Sequence, residues 1–134
     1  LTSYGVDVTL AEPELRAAAL EAVPEAHRAF LAGLPLYAEA GECLFVHAGI
    51  QPRLPMTWQS EDDLIWIHDA FLQHEDPFEK LVVHGHTAVE APEHRGNRVN
   101  IDSGAGFGRT QTAIAIEGRE VFVLEEDGRQ PLLP

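Results

Sequence analysis

The sequence has a single cysteine, Cys43, so no intrachain disulfide and no cysteine-built zinc site can form. Cys43 lies in an apolar run and is expected to be a small buried hydrophobe. No stretch approaches the roughly 20 consecutive apolar residues that a membrane span requires. Basic residues are also scarce. Nine Lys and Arg stand against 22 Asp and Glu, a formal net charge of −13 that seven His could soften only at lower pH. Such a surface repels nucleic-acid phosphates and anionic lipid, which argues against either as a main partner. No signal-peptide pattern opens the chain, and a reducing cytoplasm is the expected setting.

What is present is an ordinary globular mixture. Hydrophobic residues make up 45% and charged residues 23% of 134 positions, enough for one domain or a piece of one with a true core. The chain begins with Leu1 rather than methionine, and the expectation is that it starts inside a longer product.

The first third, residues 1–34, reads as mainly helical. Acids around Pro13 open a run placing Leu15, Ala18, Ala19 and Ala22 on one face. Pro24 breaks it, and Ala26, Phe30 and Leu31 form a second stripe ending at Gly33. Residues 36–134 read as sheet with at least one helix. Two short strands are expected around Gly41, Leu36–Ala40 and Glu42–His47; the second carries the run Cys43-Leu44-Phe45-Val46, apolar throughout, as a strand buried on both faces would be. Ser60 caps a helix carrying Leu64, Ile65, Trp66, Ile67, Phe71 and Leu72 on its apolar side. Further strands are expected at Lys80–Val83, Val99–Asp102, Thr112–Glu117 and Glu120–Glu125, the last two forming a hairpin through Gly118-Arg119. The whole reads as one continuous α/β (α+β) unit.

Three apolar strands end in polar residues beside glycine: His47-Ala48-Gly49, His84-Gly85-His86 and Asp102-Ser103-Gly104. In open α/β proteins, sites collect at the carboxyl ends of strands, and glycine lets a ligand approach the main chain. Neutral imidazole ligates zinc, manganese or iron, often with a carboxylate orienting its other nitrogen. Two of these strand-end histidines plus Asp102 would therefore make a partial metal site, too small to be complete. Each has a plainer alternative as a hydrogen-bonded core residue. Strand alternation would place His84 and His86 on one face. The stretch Gly104–Gly108 looks like a dinucleotide loop, but a strand rather than a helix follows it. His27, His74 and His94 fall in polar segments and are expected at the surface, and Trp58 could line a pocket mouth. His68 and Asp69 lie on the flank of their helix not claimed by the apolar stripe.

Four ordered blocks resemble a known family. Phe45-Val46-His47-Ala48-Gly49-Ile50, Asp63-Leu64-Ile65-Trp66-Ile67, Val82-Val83-His84-Gly85-His86-Thr87 and Asn97-Arg98-Val99-Asn100-Ile101-Asp102-Ser103-Gly104-Ala105 follow the order seen in bacterial serine/threonine protein phosphatases, within the calcineurin-like metallophosphoesterases. The resemblance runs from about Ala26 to the final hairpin. It implies part of a four-layer αββα sandwich lacking its N-terminal half, so that residues 1–134 form the C-terminal half of a single domain. It also implies two divalent metal ions in the intact protein, manganese first and iron or zinc as alternatives. His47 and His86 match the two histidines that ligate the second metal. His84, His68 and Asp102 are assigned to the surroundings of metal or substrate.

The upstream motifs of that family, Gly-Asp-x-His, Gly-Asp-x-x-Asp-Arg-Gly and Gly-Asn-His-Glu, do not occur here. The bridging Asp, the Asn ligand, the His general acid and a phosphate-binding Arg are thus expected upstream, with no catalytic residue in this chain. Relatives tend to carry Arg where His68 stands, and imidazole is a weaker and pH-dependent phosphate partner. The implied substrate is a phosphorylated protein or small phosphoester. Open alternatives are a symmetrical dinucleoside-tetraphosphate hydrolase and a non-catalytic acidic module recruiting a basic partner; a cupin or amidohydrolase fits less well. Self-association is expected through the sheet that a missing half would leave uncovered.

Overall fold

A computed structural model describes residues 1–134. The chain divides into two compact units, Leu1–Pro35 and Leu36–Pro134.

The first unit is helical. Helix α1 spans Glu12–Ala22 with Pro13 at its start, where a missing N–H costs nothing, and Glu12 and Glu14 in its first turn. Helix α2 spans Glu25–Ala32, and the Gly33 N–H closes its end on the Ala29 carbonyl. Neither helix buries a residue. Leu15, Ala18 and Ala19 are half-buried, whereas Ala22, Ala26, Phe30 and Leu31 are exposed. The second apolar stripe is thus present but uncovered. His27 is exposed and its Nδ1 stands 2.8 Å from the Tyr4 hydroxyl.

The second unit is built on a five-stranded sheet in the order β1-β2-β3-β5-β4. Strand β1 (Tyr37–Ala40) pairs antiparallel with β2 (Cys43–Val46) across a turn at Gly41, which takes φ +55. Strand β2 runs parallel to β3 (Leu81–His84), and β3 runs parallel to β5 (Arg98–Asn100). The two-residue β4 (Glu93–His94) pairs antiparallel with β5; it had no counterpart among the expected strands. Strands β6 (Ile114–Glu117), β7 (Glu120–Glu125) and β8 (Gly128–Pro131) form a second, antiparallel sheet, turning at Gly118 as anticipated. Strand β8 was not foreseen, because Gly-Arg-Gln-Pro carries no apolar alternation.

Two apolar cores lie on opposite faces of the large sheet. On one face Leu44, Val46, Ala48 and Val82 meet Leu64, Ile67 and Phe71 from the helical segment. On the other, Cys43, Leu81 and Val99 meet Val121, with Ile114, Ile116 and Leu132 alongside. The architecture is therefore mixed α+β, with helices on one side of the sheet and a smaller sheet on the other. Strand β2 departs from full burial: Phe45 is 37% exposed, because the smaller sheet stops short of the strand's carboxyl end.

The helix expected from Ser60 to Leu72 is broken in two. Helix α3 (Glu61–Trp66) starts at Ser60, whose Oγ accepts the Asp63 N–H at 3.1 Å. Ile67 then leaves helical geometry, and α4 (Asp69–Leu72) restarts after His68, which holds the unusual pair φ −129, ψ −105. The break lets Leu64, Ile67 and Phe71 all enter one core. Phe71 is fully buried, stacks on Phe78 and lies beside Gly49, whose missing side chain leaves the ring its place. His74 and His94, expected at the surface, are half-buried.

Candidate metal centre

The parallel strands β2 and β3 end side by side, and this sets the site. His47 directly follows β2, and the Gly85 N–H donates to its carbonyl at 2.9 Å. Strand β3 ends at His84, and His86 turns out of the sheet with φ +66, a left-handed conformation rare for a residue with a side chain. That turn swings its ring onto His47, with centroids 5.0 Å apart and His47 Nε2 3.2 Å from His86 Nδ1.

His84 goes elsewhere. Alternation predicted that it would share a face with His86, but the strand ends before His86, so the alternation does not carry that far. The His84 ring, 2% exposed, packs edge-on against Phe71 at 4.9 Å, on the helical face of the sheet. Burial lowers its pKa to about 4, so it is a neutral core residue at ordinary pH. Its Nδ1 lies 3.2 Å from the Gly85 carbonyl oxygen, and its buried Nε2 has no hydrogen-bond partner.

Asp102 approaches from the end of β5. A Cβ placed on Gly85 would lie 3.3 Å from the Asp102 Cβ, so glycine at 85 admits the carboxylate next to the histidine turn. Asp102 Oδ1 accepts the Gly104 N–H at 2.9 Å, and the Asp102 carbonyl accepts the Val89 N–H at 2.9 Å. Asn100, unassigned in the sequence reading, ties these pieces together. Its buried amide donates to the Thr87 carbonyl at 2.8 Å and accepts the Asp102 N–H at 3.0 Å. A buried-strand amide between Val99 and Ile101 was the available signal.

His47, His86, Asp102, Phe45 and Ile101 border a shallow depression of about 310 Å³ that is largely open, with His84 at its edge. A larger hollow, about 570 Å³, lies between the Gln51–Met56 loop and Asp76–Lys80, and contains none of these strand-end groups.

Trp66 is a correction. Expected on the buried face of its helix, it is 66% exposed and sets its ring edge against His86, centroids 5.6 Å apart. Trp58 is likewise exposed. His68 stays outside the depression; its Nδ1 lies 2.7 Å from Asp69 Oδ1 in an exposed pair.

The imidazole pair fits a metal ion. Two nitrogens each about 2.1 Å from one ion stand about 3.0 Å apart at a right angle and about 3.4 Å at the tetrahedral angle. The observed 3.2 Å falls between. Nowhere does the chain gather three or more His, Cys, Asp or Glu side chains in an arrangement that would hold an ion unaided.

The fold is mixed α+β, with two histidines brought together at the ends of adjacent parallel strands. A solved crystal structure named "putative diadenosine tetraphosphatase" shares this fold with a TM-score of 0.54 and 19% sequence identity, over 87% of this chain and 60% of that one. This chain therefore spans about three-fifths of that neighbour's length. No protein-family model matches the chain, and no curated protein matches it.

Proposed function

We propose that this chain is the histidine-bearing part of a metal-dependent phosphoesterase, in which His47 and His86 are two ligands of a divalent ion. The observation that carries the reading is the 3.2 Å approach of two imidazole nitrogens at the ends of adjacent parallel strands. A dinuclear centre of this kind supplies a water of lowered pKa and neutralises phosphoryl oxygens.

This chain's own residues do the positioning. The Gly85 N–H to His47 carbonyl bond locks the two strand ends in register. Trp66 restricts the His86 ring from one side. Asp102 and Asn100 hold the loops beyond β3 and β5 against each other. Two ligands cannot hold two ions, so the 134 residues alone are expected to be inactive, with the remaining ligands and the acid supplied upstream.

Within that class, the four sequence blocks favour a serine/threonine protein phosphatase. A dinucleoside-tetraphosphate hydrolase is the second reading, favoured by the structural neighbour. Manganese is the proposed ion. Titrating the ¹⁵N-labelled chain with Mn²⁺ tests the site: selective broadening of amides around His47 and His86, lost in His47→Ala, is expected. Uniform or absent broadening would overturn it. Turnover of a phosphoserine peptide against diadenosine tetraphosphate, by a product carrying the upstream ligands, separates the two substrate readings.

A further inference from the structure

A phosphoester is an anion, and this molecule carries a net charge of −13. Any substrate of the proposed site must therefore be met by a cation that is not already neutralised. In the second unit the basic side chains are nearly all committed. Arg53, Lys80, Arg95, Arg119 and Arg129 each stand within ion-pair distance of a carboxylate. Arg98 is half-buried and donates to the Leu72 and His74 carbonyls and to Asn97 Oδ1.

Arg109 is different. It is exposed and has no carboxylate within ion-pair distance. Its aliphatic stem crosses Gly104, with Cδ 3.0 Å from where a Cβ would lie, and Gly104 takes φ +79, so only glycine gives the arginine this path. The cradle is tied to the candidate centre, because the Gly104 N–H donates to Asp102 Oδ1. Arg109 Nη1 donates to the Val89 carbonyl at 3.2 Å, and the Val89 N–H donates in turn to the Asp102 carbonyl. The guanidinium is thus pinned by neutral oxygen between the loops that carry His86 and Asp102. One of its five N–H donors is used, and no carboxylate stands within ion-pair distance of it.

We propose that Arg109 is a substrate-binding residue that takes a phosphoryl oxygen pair of the phosphoester presented at the His47–His86 centre. The assignment rests on the phosphoesterase reading for its substrate, though not for its anion affinity. Arginine suits the task because its planar fork matches a phosphate bidentately, and neutral partners hold the fork without quenching it. Arg109 lines a hollow separate from the His47–His86 depression and next to it in the chain at Asp102-Ser103; Glu90, Glu125 and Glu126 border the same hollow without pairing with it, so they make capture of a free anion weak and favour one also held at the centre.

The test is a titration of the ¹⁵N-labelled chain with inorganic phosphate, followed through the Arg109 Nε–H and Gly104 amide resonances. Weak but saturable movement of both is expected, weakened about tenfold further in Arg109→Gln and less in Arg109→Lys, which keeps charge but not the fork. Arg53→Gln, equally exposed but distant in the fold, should behave as the parent. Unmoved resonances in the parent chain, or equal binding by a folded Arg109→Gln, would overturn the assignment. Phosphoserine and tripolyphosphate as separate titrants distinguish a monoester from a polyphosphate chain as the anion recognised. Mn²⁺ broadening at His47 and His86 is read independently. Its loss with phosphate binding intact removes the phosphoesterase reading and leaves Arg109 an anion site, and the reverse result removes Arg109 alone.

Discussion

His84 shows how much a single buried imidazole can set. Its pKa is about 4 in the folded chain against 6.5 for an unperturbed histidine, because burial against Phe71 disfavours the charged form. The unfolded chain therefore binds the extra proton first. Stability from this group is complete above about pH 6.5 and is lost as pH falls through 6.5 toward 4 and below, by about 3 kcal/mol in total. Urea denaturation of the metal-free chain at pH 7.5, 5.5 and 4.5 should show that slope, and His84→Gln should flatten most of it. An unchanged slope in the variant would mean that other groups dominate acid unfolding. Gly49 is a second residue-scale constraint. A methyl group there would lie 2.3 Å from the Phe71 ring. Gly49→Ala should cost about 1–3 kcal/mol by denaturant melt, and because Gly49 lies two residues past His47, weaken Mn²⁺ binding as well.

At the scale of elements, the helical segment is short and depends on its cap and its anchor. Ser60 is the side chain that satisfies the α3 N-terminus, and three acids follow it in the first turn. Ser60→Ala should lower stability by about 1 kcal/mol. Phe71→Ala removes the largest fully buried ring and should cost about 3–5 kcal/mol, enough to unfold a domain of this size in part of the population. Circular dichroism melts of both variants check the order, with the cap the milder. These elements also show what could be read in advance. Strands β2, β3 and β7 announce themselves as apolar runs bounded by turn residues, and Gly41 and Gly118 mark their hairpins. The meeting of His47 and His86 was legible only because both follow such strands. The left-handed turn that separates His86 from His84 was not, since nothing in Val-Val-His-Gly-His says where pairing stops. Trp66 was misplaced for a related reason. A helix read as continuous to Leu72 assigns it to the buried stripe, whereas the break at Ile67 turns it outward to His86. Arg109 was invisible because its meaning lies in the ion pairs that the other basic residues make and it does not.

At the scale of the whole molecule, two opposing terms act between copies. Phe30, Leu31 and Leu34 are exposed in the first unit, and Leu36, Tyr37 and Phe45 in the second, apolar side chains that contact between copies would take out of water. Strand β1 is an edge strand whose four residues are all exposed, and nothing within Tyr37–Ala40 bulges or breaks it. Against association stands the charge of −13, since like-charged surfaces repel over about 10 Å at 0.1 M salt and about 30 Å at 0.01 M. Apolar contact is barely weakened by simple salt, whereas the repulsion is screened. The expected behaviour is therefore opposite to that of a salt-bridged dimer: a mass near 14.7 kDa at low ionic strength and a rising weight-average mass as sodium chloride increases. Sedimentation velocity at 10 and 500 mM salt over a tenfold range of protein concentration measures this directly. Replacing Phe45 by Ser should reduce the high-salt association if the large sheet is the contact, and Phe30→Ser should do so if the helical unit is. A mass that stays at the monomer value in both salts would show that these side chains are too dispersed to form a joint surface, and the uncovered face beside His47 would then be open to substrate in the chain as it stands.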